Sequence, residues 1–116
     1  MISTHVLDTA RGRPAAGVPV TLEQLDTSAG PNASAREIAT AHTDADGRVR
    51  ELVPDAAGLG VGRYRIRFDT AAYFAAHRVE AFYPEVVVVF VIADASQHYH
   101  VPLLLNPFGY STYRGS

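Results

Sequence analysis

GRYRIRFD, residues Gly62 to Asp69, alternates without a break: Tyr64, Ile66 and Phe68 fall on one side of an extended chain, and Arg63, Arg65 and Arg67 fall on the other. Side chains of a β-strand point to opposite faces with a period of two, so this stretch reads as a strand with one buried and one wetted face. Shorter alternations flank it, at STHVLDT (Ser3–Thr9), VPVTLEQL (Val18–Leu25) and REIATAHT (Arg36–Thr43). EVVVVFVIAD, HYHVPLLLN and the terminal YSTYRG add three more apolar or alternating runs. Gly, Pro, Asp and Ser separate them, as in ARGRPAAG, the polar Asp26–Ser34 stretch and the DADG turn at Asp44–Gly47. The alanine-rich TAAYFAAHRVE (Thr70–Glu80) is the one helical segment, with Asp69 or Thr70 placed to cap it.

About eight short strands, one short helix and no strand–helix alternation predict an all-β sandwich of Greek-key type, a single domain over residues 1–116 without internal repeats. Val86 to Ile92 is apolar on both faces, whereas an antiparallel sandwich strand ordinarily keeps one wet side. Two-sided burial in so short a chain predicts that one face meets another subunit.

Composition narrows the chemistry. With 116 residues and 47% hydrophobic content the chain is globular, and a formal net charge of −2 provides no field to gather nucleic acid or acidic lipid. All ten basic residues are arginine, so Schiff-base chemistry is excluded and guanidinium is the strong cation available. The absence of cysteine excludes disulfides, thiolate nucleophiles and thiolate metal sites. MISTHVLD has no signal-peptide pattern and VVVVFVIA is far too short to span a membrane, which together predict a soluble cytoplasmic protein. The Asn32-Ala33-Ser34 sequon reads as part of a loop.

His98 and His100, two apart on a strand, share one face. Three roles suit such a pair: solvent-facing residues of an edge strand, acid–base groups, or, with His5 as a third ligand, a metal site. DADGR begins like a calcium loop, but Gly47 comes too early in the register and the later oxygen ligands are missing, so it reads as a turn. That turn delivers Arg48 to the mouth of a strand, where a guanidinium can donate paired hydrogen bonds to a developing oxyanion. His42 and His77 read as surface residues. GYSTYRGS, with two tyrosines and an arginine, is a poor composition for a frayed end.

STHVLDTARGRPAAGVPVTL, TDADGR, AFYPEVVVVF and above all HYHVPLLLNPFGYSTYRGS together resemble the transthyretin-related family of 5-hydroxyisourate hydrolases, from Ser3 to Ser116. The resemblance implies two four-stranded sheets with a short helix. It further implies a homotetramer, a dimer of dimers, with active sites where the dimers meet. The implied reaction is metal- and cofactor-free hydrolysis of 5-hydroxyisourate to 2-oxo-4-hydroxy-4-carboxy-5-ureidoimidazoline. Carried over by motif, the catalytic residues are His5, Arg48 and His100. His98, Tyr113, Arg114, Gly115 and Ser116 support or line the site, and the terminal tetrapeptide is what separates hydrolase from transthyretin. Asn106 departs from the family pattern, which has Ser there. The alternatives are a non-catalytic, transthyretin-type binding protein for a small ligand and a His-rich metal-binding sandwich.

Overall fold

In the computed structural model, which describes residues 1–26, 34–53 and 59–116, the strands and helix follow the chain as β1 (Ile2–Asp8), β2 (Arg13–Pro14), β3 (Pro19–Leu25), β4 (Ala35–His42), β5 (Arg48–Val53), β6 (Gly62–Phe68), α1 (Thr70–Ala76), β7 (Val86–Ile92), β8 (Tyr99–Asn106) and β9 (Gly109–Thr112). The Asn32 sequon and most of the polar connection ahead of β4 lie outside the described residues.

The alternation of β6 does what its pattern requires. Tyr64, Ile66 and Phe68 are fully buried, while the intervening arginines stay at the surface. Each such side chain contributes roughly 1.5–3 kcal/mol on leaving water. They meet Val6 and Leu103 from the opposing sheet, together with Leu22 and Ile92, so the core lies between two layers. One sheet runs β4-β3-β6-β7, all antiparallel; the other runs β5-β1-β8-β9, with the two-residue β2 also paired to β1. These are the two expected four-stranded sheets, plus a short bridge within a segment read as loop. The β1–β8 pair is parallel, a partnership between the two ends of the chain that alternation alone does not reveal.

Helix α1 ends four residues before the expected Glu80. Asp69 caps its start, accepting from Ala72 N at 3.1 Å. Its end is set at Arg78, whose φ of 56° lies in the left-handed region that a continuing helix cannot use. On β7 the single chain buries Val86 and Ile92 but leaves Val87, Val89 and Val91 exposed. Asn106, the departure from the family pattern, stabilises the β8–β9 turn, where its Oδ1 accepts Phe108 N at 2.9 Å.

The DADG turn fixes the end of the sheet that matters most. Asp44 Oδ1 accepts from Asp46 N and Arg48 N, at 2.8 and 3.0 Å. Gly47 has φ +73°, and any Cβ there would run into the Val6 carbonyl. Only glycine lets the turn lie this close to β1, where Val6 N donates to Gly47 O at 2.7 Å.

Candidate active site

Even-numbered residues of β1 (Ile2, Thr4, Val6, Asp8) are buried toward the core, so Ser3, His5 and Leu7 face outward. On β8 Tyr99, Val101, Leu103 and Leu105 are buried toward the core, which puts His100 on the opposite face together with Pro102, itself covered. Register then assembles the site on this outer face. Ser3 lies opposite His100 across the parallel pair, and His5 lies opposite Arg48 across the antiparallel one. Residues far apart in sequence thus become neighbours at cross-strand spacing.

Hydrogen bonds orient the three histidines. Ser3 Oγ lies 2.8 Å from His100 Nδ1 and 3.1 Å from His98 Nε2. The two imidazoles stack at 18°, with centroids 6.4 Å apart. His5 Nε2 is 2.9 Å from the Asp46 carbonyl oxygen, which can only accept, so Nε2 carries the proton and Nδ1 is the free nitrogen of the neutral ring.

The electrostatics are one-sided. Burial pushes the His100 imidazole below its ordinary value, and positive charge on Arg48, His98 and His5 pushes it the same way, against a smaller opposing pull from the Ser3 backbone. The neutral ring is therefore favoured at His100. Among the described residues Arg48 has no ion-pair partner, and no group of three or more His, Cys, Asp or Glu is disposed to hold a metal ion.

A polar cleft of about 340 Å³ opens on this face, lined by Ser3, Arg48, Glu51, His98, His100 and Ser116 among others. The C-terminal segment crosses His100 to reach it: Gly115 N donates to His100 O at 2.9 Å, and a Cβ at Gly115 would collide with the imidazole carbons. Glycine is required there because the chain lies on the ring. Tyr113 and Arg114 are placed differently. They line a second, more apolar hollow of about 300 Å³ between the sheet edges, with Val88, Phe90 and Tyr99, and His100 forms part of both walls. The Arg114 guanidinium sits 4.8 Å from the Tyr99 ring centre and donates to Gln97 at 3.0 Å.

Of the residues expected in the site, His98, His100, Arg48 and Ser116 meet in the cleft. His5 stands beside Arg48 on the same face. Tyr113 and Arg114 lie behind His100, in the second hollow. Ser3 is the member that sequence reasoning misses: a serine in a strand carries no local signal, and only the β1–β8 register brings it to the histidines. His77 proves to have partners, the Tyr73 ring and Arg11, while His42 is exposed.

The fold and this face define a transthyretin-type sandwich bearing a histidine–arginine site on the outside of one sheet. A family profile, Transthyretin, described as the HIUase/Transthyretin family, matches residues 2–115, and the chain belongs to that family. It is 45% identical to the 5-hydroxyisourate hydrolase of Salmonella dublin, over 100% of this chain and 81% of that one. The structure of Klebsiella pneumoniae 5-hydroxyisourate hydrolase superposes with a TM-score of 0.82 at 37% identity, covering 99% and 97% of the two chains. Sea bream transthyretin, solved in complex with thyroxine, gives a higher TM-score of 0.88 at a lower 31% identity, covering 98% of this chain and 93% of that one. Backbone likeness therefore does not divide the hydrolase from transthyretin; the side chains of the site must do so.

Proposed function

We propose that this protein hydrolyses 5-hydroxyisourate to 2-oxo-4-hydroxy-4-carboxy-5-ureidoimidazoline. The observation that carries this reading is one polar cleft holding two imidazoles and a guanidinium that has no ion-pair partner among the described residues, with a third imidazole, His5, opposite that guanidinium on the same face. A carrier's cavity is instead mostly apolar with few polar contacts. Relatives named for this activity, at 45–49% identity, support it.

Hydrolysis of a cyclic amide needs a base for water, a donor for the carbonyl oxygen as it gains charge, and an acid for the leaving nitrogen. His100, whose surroundings favour the neutral ring, is the base: Nε2 takes a proton as the water oxygen bonds to the carbonyl carbon. Arg48, in no ion pair among the described residues, holds the oxygen that becomes anionic. His5, anchored at Nε2 by the Asp46 carbonyl, acts through Nδ1: in its cationic form the ring carries a second proton there, which it gives to the leaving ring nitrogen as the C–N bond breaks, ending as the neutral Nε2–H ring. His98 supports His100; Gly115 and Ser116 form the wall over it, and Tyr113 and Arg114 hold that wall from the second hollow. No step requires a metal or cofactor.

The working unit is a homotetramer, a dimer of dimers with the sites where the dimers meet. Two observations support this assembly. Exposed Val87, Val89 and Val91 lie along β7, an edge strand, and Phe82, Phe108 and Tyr110 are exposed around β9, the edge strand of the other sheet. Unpaired apolar edges of this kind favour pairing with another copy.

The test is ultraviolet absorbance of 5-hydroxyisourate generated in place from urate by urate oxidase. Decay is expected to accelerate with the wild-type protein, but not with His100→Ala or with the chain cut before Tyr113, both remaining folded by circular dichroism. Decay at the spontaneous rate would instead favour a non-catalytic ligand-binding protein. Sedimentation of the same preparation checks the assembly, and a particle of one chain's 12.5 kDa would overturn it.

A further inference from the structure

Ser3 touches both histidines of the HYH sequence and is only 6% exposed, so bulk water hardly competes for its hydroxyl. A hydroxyl carries one proton. With both rings neutral, Ser3 donates to one ring and accepts from the other, which leaves two arrangements. In the first, His100 Nδ1–H donates to Ser3 Oγ and Ser3 donates to His98 Nε2; His100 Nε2 then has a free lone pair. In the second the direction is reversed, His100 Nε2 is protonated, and the ring cannot act as base through that atom. One hydroxyl thus couples the tautomer of the base to that of its neighbour.

We propose that Ser3 is a positioning residue that joins His98 and His100 into one proton-sharing unit, so that a proton gained at His100 is passed on to His98. The proposal rests on the hydrolase reading and extends it to a residue that no motif marks. As His100 Nε2 takes a proton from water, the Nδ1 proton moves to Ser3 Oγ while the Ser3 proton moves to His98 Nε2. His100 ends neutral and His98 cationic, with no proton lost and no heavy-atom bond changed.

The direction of transfer follows from the surroundings. His100 is half-buried and faces Arg48, Arg50 and Glu51 on β5, His5 on β1, His98 just ahead of its own strand and Arg114 on the terminal segment. Cations predominate around it, which disfavours holding charge there. His98 is exposed to water at the rim, where charge costs less.

Two readouts test the relay. In steady-state kinetics Ser3→Ala is expected to lower kcat by about tenfold with KM little changed, and Ser3→Thr, which keeps the hydroxyl, to restore most of it. Because the residues act as one unit, Ser3→Ala combined with His98→Ala should be no slower than the worse single variant. Independently of turnover, ¹⁵N spectra of the imidazoles should show His98 and His100 titrating as a coupled pair in the wild type and separately in Ser3→Ala. Multiplying losses, unchanged kcat in Ser3→Ala, or uncoupled titration in the wild type would each overturn the relay. A wild-type protein that shows coupled titration but no hydrolysis would leave the relay standing and remove the hydrolase reading instead.

Discussion

Both sheets carry arginines on their outer faces, and one of them, Arg48, stands apart: even Arg50, two residues on along β5, lies 3.5 Å from the Asp46 carboxylate. On the β4-β3-β6-β7 sheet, Arg65 Nε donates to Glu23 at 2.9 Å and Arg67 donates to Glu85 at 3.1 Å. On the β5-β1-β8-β9 sheet, Arg48 shares its surface with three histidines and pairs with no carboxylate among the described residues. Paired charges hold a surface together, whereas a guanidinium set among imidazoles without an ion-pair partner is destabilising unless a ligand or a developing anion completes it. On the function proposed above, the same residue type, on the same kind of strand face, is structural at Arg65 and chemical at Arg48.

Substituting one arginine on each face breaks this comparison most directly. Arg48→Ala is expected to lower kcat/KM by about 10²–10³, the usual cost of losing a preorganised donor to an oxyanion. It should also move the acid limb of the pH–rate profile upward. Removing the Arg48 cation withdraws one of the influences that hold His100 below its ordinary value, so the base becomes protonated at higher pH than in the wild type. Arg65→Ala should leave both quantities unchanged. Equal losses of activity from the two variants would refute the division between the faces.

Gly115→Ala sharpens the comparison within the active face. The added methyl has no room beside the His100 ring, so either the imidazole or the terminal strand must shift. A roughly tenfold fall in kcat is expected with melting little affected, since the contact is made by a chain end outside the core. A crystal structure of the variant with an undisturbed imidazole, or full activity, would contradict the role assigned to the crossing.

Much of this division is legible in the sequence, but unevenly. Period-two alternation identifies the strands, and it places His98 and His100 on one face, because both are local properties of an extended chain. Alternation is silent about which strands pair. The parallel β1–β8 register that brings Ser3 to His100, and the antiparallel β1–β5 register that sets His5 against Arg48, join residues 97 and 43 positions apart in the chain. The catalytic roles proposed for His5 and Arg48, and the expected place of the terminal tetrapeptide, follow from resemblance to a family rather than from periodicity. Ser3 follows from neither. On the other sheet, the three wet arginines of β6 are evident from the alternation, whereas their partner Glu23 becomes evident only from the β3–β6 register. The early end of α1 has no sequence signal either, since Arg78 is not a residue that announces a left-handed backbone.

The smallest expected effect lies on the structural face. Glu23 is 8% exposed and its carboxyl is held below the usual range, first by the hydrogen bond from Arg65 and then, against the opposing effect of burial, by the charges of Arg65 and Arg67. The folded protein therefore binds fewer protons at this site than the unfolded chain does as pH falls below about 4.5. Stability from Glu23 is fully present above that pH and is lost as pH drops through the depressed folded value. Glu23→Gln should leave hydrolysis untouched and cost about 1–2 kcal/mol at pH 7, in line with a hydrogen bond between charged groups whose outer partner is partly solvated. Thermal melting followed by circular dichroism should show a drop of roughly 5 °C at neutral pH that narrows toward pH 3. A difference that stays constant with pH would mean that packing, and not the ion pair, stabilises this face. A loss of activity would mean that the two outer faces are not independent.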